Sequence, residues 1–275
     1  MTRQHRLGQG LAALTAALAL TTAPAALPAH AADKTVKPLP HGAAAPTAGA
    51  GHHGGDPDGG WEGDGLRLNA EDNRKVDAYI GRARAAEPRI SAQVRAAADL
   101  SQAELVGFDH RLKSPDSLKR KVATDLKEHP GQKVEEALAR LTDAVRYTLQ
   151  WPDDRYVSGV TTATEVLSAW GNETTKWRNT WGSEKGYRGL NSGWRAPRSR
   201  QLFEVQFHTP ASKWAQEVTH KLYEEQRLPT TTPERKRELQ AQQDAIFASV
   251  AVPDGAPALA PPAPLPQRPT LAPAA

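Results

Sequence analysis

Cysteine is absent from all 275 residues, so the chain has no disulfide, no thiolate nucleophile and no thiolate metal site. Its core alone must hold it together. Net charge is also small, with 35 Lys and Arg against 31 Asp and Glu. The formal net charge is +4, and it falls to +2 if residues 1–31, which carry Arg3 and Arg6 and no acid, are removed. That bias is too weak to be a nucleic-acid footprint. The apolar run near the N-terminus is interrupted by Pro24 and Pro28 and is too short for a stable membrane span, and no other run approaches spanning length. No internal repeat is visible.

What is present begins with the signs of export. Arg3 and Arg6, an Ala/Leu-rich run and the triplet Ala29-His30-Ala31 describe a secretory signal peptide cut after Ala31. The n-region has no paired arginine, which favours general secretion over the twin-arginine route and predicts a secreted, extracellular protein. Residues 32–65 are Gly, Ala, Pro, His and Asp without periodicity and read as a disordered linker, in which His41, His52 and His53 read as solvated, with metal binding as the alternative. Residues 251–275 are almost entirely Pro, Ala and Leu and read as a disordered tail, and 231–250 as a charged helix outside the core. Residues 66–230 remain as one domain, long enough to bury a sizeable core.

Within that domain, residues 202–209 read L-F-E-V-Q-F-H-T. Strict alternation sends Phe203, Val205 and Phe207 to one face and Glu204, Gln206 and His208 to the other. Thr209-Pro210 then starts a helix, with Trp214, Val218 and Leu222 as its apolar stripe. Upstream, the pattern predicts a helix over 69–83, a second over 88–98 after Pro88, and a strand over 105–113. The dense arginines of those two helices read as a solvated face. Arg111 and Lys113 share one face of the predicted strand, and the helix opened by Ser114-Pro115 places Ser117 and Lys121 four apart. Cations, a hydroxyl and a helix N-terminus converge there, which suits a polyphosphate; ordinary surface charge is the alternative. Asp143 stands at the mouth of a strand over 144–151, as a metal ligand or as a turn residue. Further strands are predicted over 176–181, where Trp177 and Trp181 read as core, and from Gly186, where Tyr187 either stacks a base or packs.

Taken in order, these motifs resemble the synthetase domain of the RelA/SpoT family of nucleotide pyrophosphokinases. Arg111, Lys113, Ser117 and Lys121 reproduce its R-x-K-x-x-x-S-x-x-x-K spacing, Asp143 stands at its metal Asp, and Gly186-Tyr187 matches its acceptor-loop G-Y. Residues 204–209 resemble its E-(I/V)-Q-(I/V)-R-T strand, followed by a helix with His220 and Tyr223 three apart. The resemblance covers residues 105–227. The chain departs from the family's D-x-x-G-x-R, with Arg146 for the Gly and Thr148 for the Arg; from its Y-x-S-x-H, with Gly189 and Asn191; and from its strand Arg, with His208.

The resemblance implies an α+β fold, a mixed sheet flanked by helices as in nucleotidyltransferase-like synthetase domains. It implies a short, synthesis-only member with a changed acceptor pocket, best matched by the secreted streptomycete-type ATP:nucleotide 3'-pyrophosphokinases. The implied activity moves the β,γ-pyrophosphate of ATP to the 3'-hydroxyl of a purine nucleotide, releasing AMP. It also implies roles: Arg111, Lys113, Ser117 and Lys121 bind ATP, Asp143 and Glu204 hold Mg²⁺, Glu204 serves as base, and Tyr187, Gln206, His208 and His220 face the acceptor. Two other readings stay open, pyrophosphorylation of an RNA 3' end and a catalytically inactive nucleotide or nucleic-acid binder.

Overall fold

The computed structural model describes residues 59–228 and 230–263. The segment read as a signal peptide and the linker histidines His41, His52 and His53 lie outside the described residues, as does the tail beyond residue 263. No described helix is long and apolar enough to cross a membrane.

The longest element, α1 (Ala70–Ser101), runs straight through Pro88, where two helices were predicted. Pro88 and Arg84 are both exposed, so the carbonyl that loses its i+4 donor faces water. The buried stripe also stays in phase across the proline, through Val76, Ile80, Ala83, Ala86, Ile90, Val94 and Ala97. Asn69 caps the helix by accepting from the Asp72 amide at 2.8 Å.

Among the described residues, five strands form one mixed sheet in the order β3 (Glu104–Val106), β4 (Arg146–Gln150), β7 (Leu202–His208), β6 (Leu190–Arg195), β5 (Glu173–Asn179). β4 and β7 are parallel and the other pairs antiparallel. The helices α2 (Pro115–Glu128), α3 (Val134–Ala139), α4 (Tyr156–Ala169), α5 (Pro210–Arg227) and α6 (Pro233–Ala248) flank it. The fold is therefore α+β, as expected. The alternation in β7 is realised: Phe203, Val205 and Phe207 are fully buried. Phe203 packs with Tyr147, and Phe207 with Trp151 and Trp177. Trp181 is buried as predicted and its indole donates to the Tyr156 hydroxyl at 2.8 Å, whereas Trp177 is half-buried against the edge of the core.

Several expectations are corrected. The strand predicted over 105–113 stops at Val106. Gly107 takes a left-handed conformation with φ 62°, which suits a residue without a Cβ, and Phe108–His110 form a 3-10 turn. Leu112 rejoins the sheet through one bridge to Val145. On α5 the predicted stripe faces the wrong way: Ser212, Ala215 and Thr219 are buried, while Trp214 and Val218 are exposed.

The domain also extends beyond 66–230 at both ends. Trp61, in a hairpin of β1 (Trp61–Gly63) and β2 (Leu66–Leu68), is buried and donates to Asp116 Oδ1 at 3.1 Å. At the other end α6 buries Leu239 and Phe247, and the following segment buries Val250 and Ala256. There the Arg188 guanidinium donates to the Val250 carbonyl at 2.6 Å, and the Trp177 indole to the Leu259 carbonyl at 3.1 Å. Proline and alanine at low periodicity conceal such a strap, because its contacts are carbonyls and small side chains.

Candidate active site

The polar face of the sheet follows from register. Arg146 pairs with Glu204 and Thr148 with Gln206 across β4 and β7. Gly193 and Asn191 pair with the same two residues from β6, and Lys176 and Arg178 continue the rows on β5. Residues directly opposite share a face, so the side opposite Phe203, Val205 and Phe207 carries Glu204, Gln206, Arg146, Asn191, Lys176 and Arg178. That face is exposed at Arg146, Lys176 and Arg178 and buries Gln206. It lies outside both the groove lined by Arg89 and Arg198 and the cleft lined by Asp153, Asp154 and Asp254.

At one edge of that face sits Asp143, buried just before β4. Lys113 donates to its Oδ2 at 2.5 Å and Lys121 to its Oδ1 at 2.7 Å, one lysine from the segment before α2 and one from α2 itself. The main chain ties these pieces together: Lys113 N donates to the Ala144 carbonyl at 3.1 Å and Arg146 N to the Arg111 carbonyl at 2.8 Å. Burial pushes the Asp143 carboxyl up, but the two ammonium groups outweigh it and hold it at about 2.

Glu204 is shifted the opposite way. Burial raises its carboxyl, and the negative charge of Asp143 adds to the rise; Arg146, a hydrogen bond from Gln206 and Lys121 offset only part. Gln206 Nε2 donates to Glu204 Oε1 at 2.8 Å. The two acids thus feel each other between the neighbouring strands β4 and β7, one held ionised and the other held toward protonation. Pairs pushed apart in this way divide acid and base work between them. Among the described residues no cluster of three His, Cys, Asp or Glu side chains could hold a metal. Mg²⁺ that arrives with a nucleotide needs only one or two carboxylates beside phosphate and water, and Asp143 with Glu204 fits that demand.

Other candidate residues are placed differently from the sequence reading. Arg111 is not a free planar fork: its Nε donates to Glu87 Oε1 at 2.6 Å, and its guanidinium lies 4.2 Å over the Phe108 ring. Arg95 lies over the same ring at 4.0 Å. Glu87, on a helix given no functional role, was missed. Its signal is a carboxylate on the apolar stripe of α1, four residues after Ala83 and three before Ile90. Ser117 serves the start of α2, where its amide and hydroxyl both meet Ser114 Oγ.

Tyr187 is engaged inside the protein and not held out as a platform. Its hydroxyl lies 2.9 Å from Asn191 Oδ1 and 3.0 Å from His208 Nε2, and its ring meets His208 and Phe247 edge to face. Gly189 makes this possible, since a Cβ there would lie 2.6 Å from the Tyr187 hydroxyl. His208 is wholly buried, and burial, with Lys213 and Arg146 adding, holds it at about 3, so the imidazole is neutral. The Ser212 hydroxyl donates to the Arg188 carbonyl at 2.7 Å, so His208 Nδ1, 2.7 Å from that oxygen, carries the proton. Gln206 lies between Glu204 and Gln216 of α5. His220 is exposed and pairs with Glu224 at 3.2 Å, and Tyr223 is exposed under Arg227; neither is drawn into this network.

No protein-family model matches the chain, and no curated protein matches it. Solved structures do resemble it. The small alarmone synthetase 1 of Bacillus subtilis bound to its product pppGpp matches at 17% identity and a TM-score of 0.45, over 64% of this chain and 92% of that one. A GTP pyrophosphokinase family protein of Streptococcus pneumoniae matches at 16% and 0.43, over 66% and 90%. The small alarmone synthetase 2 of Bacillus subtilis matches at 16% and 0.41, over 64% and 91%.

Proposed function

We propose that this protein is a secreted nucleotide 3'-pyrophosphokinase, a Mg²⁺-dependent transferase that passes the β,γ-pyrophosphate of ATP to the 3'-hydroxyl of a purine nucleotide. One observation carries the reading: a buried Asp143 gripped by Lys113 and Lys121, with a second, partly buried carboxylate, Glu204, close enough to feel its charge. Two lysines converging with a helix N-terminus form a phosphate cradle, which a nucleotide triphosphate would occupy in competition with Asp143. Arg111 supplies a guanidinium plane that now covers Phe108 and that a purine can take over, one π-face for another.

In the transfer, the acceptor's 3'-oxygen forms a bond to the β-phosphorus and its proton passes to Glu204. The bond from the β-phosphorus to the α,β-bridging oxygen breaks, and the electron pair stays on that oxygen, which leaves with AMP. Burial beside Asp143 makes Glu204 a better proton acceptor than an ordinary surface carboxylate. Mg²⁺ held by Asp143 and Glu204 would supply charge neutralisation on the phosphates. Gln206 is placed to orient the acceptor, while Tyr187 and His208 shape the pocket wall from within.

The test uses mature protein, Mg²⁺, ATP labelled at the γ-position, and GMP, GDP, GTP, AMP or tRNA as acceptor. Label on a mononucleotide with AMP formed is the expected result. Label on tRNA alone would move the acceptor class to RNA, and ADP with free phosphate would overturn the reading. Export is tested by the N-terminus of the protein recovered from culture medium, which should begin at Ala32.

A further inference from the structure

We propose that Arg146 is a catalytic residue of this transfer, the cation that grips the pyrophosphoryl group as it passes from donor to acceptor. The assignment rests on the transferase reading above. Arg146 opens β4 on the polar face, in register with Glu204, and Gly193 is the register partner on Glu204's other side. Neighbouring strands are about 4.8 Å apart, so a guanidinium on its long stem reaches over the Glu204 carboxylate, and no β6 side chain stands in its way at that level.

The other cations at this edge are committed. Lys113 and Lys121 are bound to Asp143, and Arg111 to Glu87. The Arg146 side chain is exposed and has no ion pair or hydrogen bond within the described residues, yet its charge acts on both Glu204 and His208. A free, planar, bidentate fork beside the proton acceptor is what a migrating phosphoryl group requires, because negative charge gathers on its outer oxygens. Its backbone is also fixed to the donor side, through the 2.8 Å bond from Arg146 N to the Arg111 carbonyl.

Placement along the strand adds a second argument. Two residues on, at the level of Gln206, stands buried Thr148. Two residues of strand are about 6.6 Å, so a guanidinium at 146 sits one full step nearer the acid pair than one at 148 would. The chain concentrates its unpaired positive charge on β4 where the two carboxylates meet.

The experiment compares wild type, Arg146→Ala and Arg146→Lys in the labelled-transfer assay, with ATP affinity of each measured by calorimetry and folding checked by circular dichroism. Arg146→Ala is expected to lower kcat by about 10²- to 10³-fold while KM and Kd for ATP change less than about threefold, and Arg146→Lys to recover part of the loss. A purely structural role would lower folded fraction without that split. An alanine variant that keeps kcat within about threefold of wild type, or loses only ATP affinity, overturns the assignment and leaves the transferase reading standing. A wild-type protein that transfers nothing overturns both.

Discussion

Asp143→Asn tests the centre of the site by a stability measurement that needs no substrate. The side chain is buried and accepts from two lysines, of which Lys113 is about one-quarter exposed and Lys121 about half. A carboxyl held at about 2 against an ordinary 3.8 corresponds, after discounting for the solvated Lys121, to about 2 kcal/mol of folding free energy at neutral pH. Because the folded-state value is depressed, this stabilisation is fully present above pH 4 and is lost as pH falls from about 4 to about 2. The asparagine variant lacks it throughout, and its amide turns a donor toward an ammonium group. In urea without Mg²⁺, the variant's midpoint should fall by about 1 M at pH 7, taking a slope of about 2 kcal/mol per molar. The gap should close on acidification to pH 2. Total stabilities of about 5–15 kcal/mol leave the variant folded at pH 7. An unchanged midpoint at pH 7, or a gap that persists at pH 2, would refute the lysine clamp.

Two further outcomes test the parts around the site. Gly189→Ala should push the Tyr187 ring off His208 and Asn191, costing about 1–3 kcal/mol by thermal melt; an unchanged melting temperature would show that the ring does not depend on the missing Cβ. Ending the chain at residue 249 removes buried Val250 and Ala256 and the carbonyls that accept from Arg188 and Trp177, and should cost about 3–5 kcal/mol in chemical denaturation. A truncated protein as stable as the full chain would return this segment to the status of a tail.

The sheet was legible where period decides structure. The two-residue alternation of β7 fixed its core and polar faces, and the Ser114-Pro115 and Thr209-Pro210 pairs marked two helix starts. Period failed where tertiary contact overrules local signal. Pro88 reads as a helix end, but an exposed carbonyl turn lets α1 continue. Trp214 and Val218 read as buried because they are large and apolar; α5 instead turns small residues inward, where Ser212 must reach both His208 and the Arg188 carbonyl. Of the candidate site residues, Asp143, Lys113, Lys121 and Glu204 are brought together, whereas His220 stays on the outer surface of α5. The Glu87–Arg111 pairing was illegible for a different reason: the two residues are 24 apart, across a glycine turn that the alternation disguised as strand.

The opposed shifts of the two acids lead to a prediction about the sign of a second isosteric change. Glu204→Gln removes one negative charge, as Asp143→Asn does, and preserves the oxygen that accepts from Gln206. Yet the folded state raises the Glu204 carboxyl, by burial first and by Asp143 second, so its ionisation costs stability once pH passes above the ordinary carboxylate range. Removing the charge removes that cost. The glutamine variant should therefore be at least as stable as wild type at pH 7 while losing transfer, whereas the asparagine variant at 143 should be inactive and less stable. A carboxylate kept at a cost to stability is what a functional site shows. If urea melts at pH 7 show Glu204→Gln destabilised as much as Asp143→Asn, the two carboxylates sit in equivalent environments, and the division between a clamped anion and a proton acceptor is wrong.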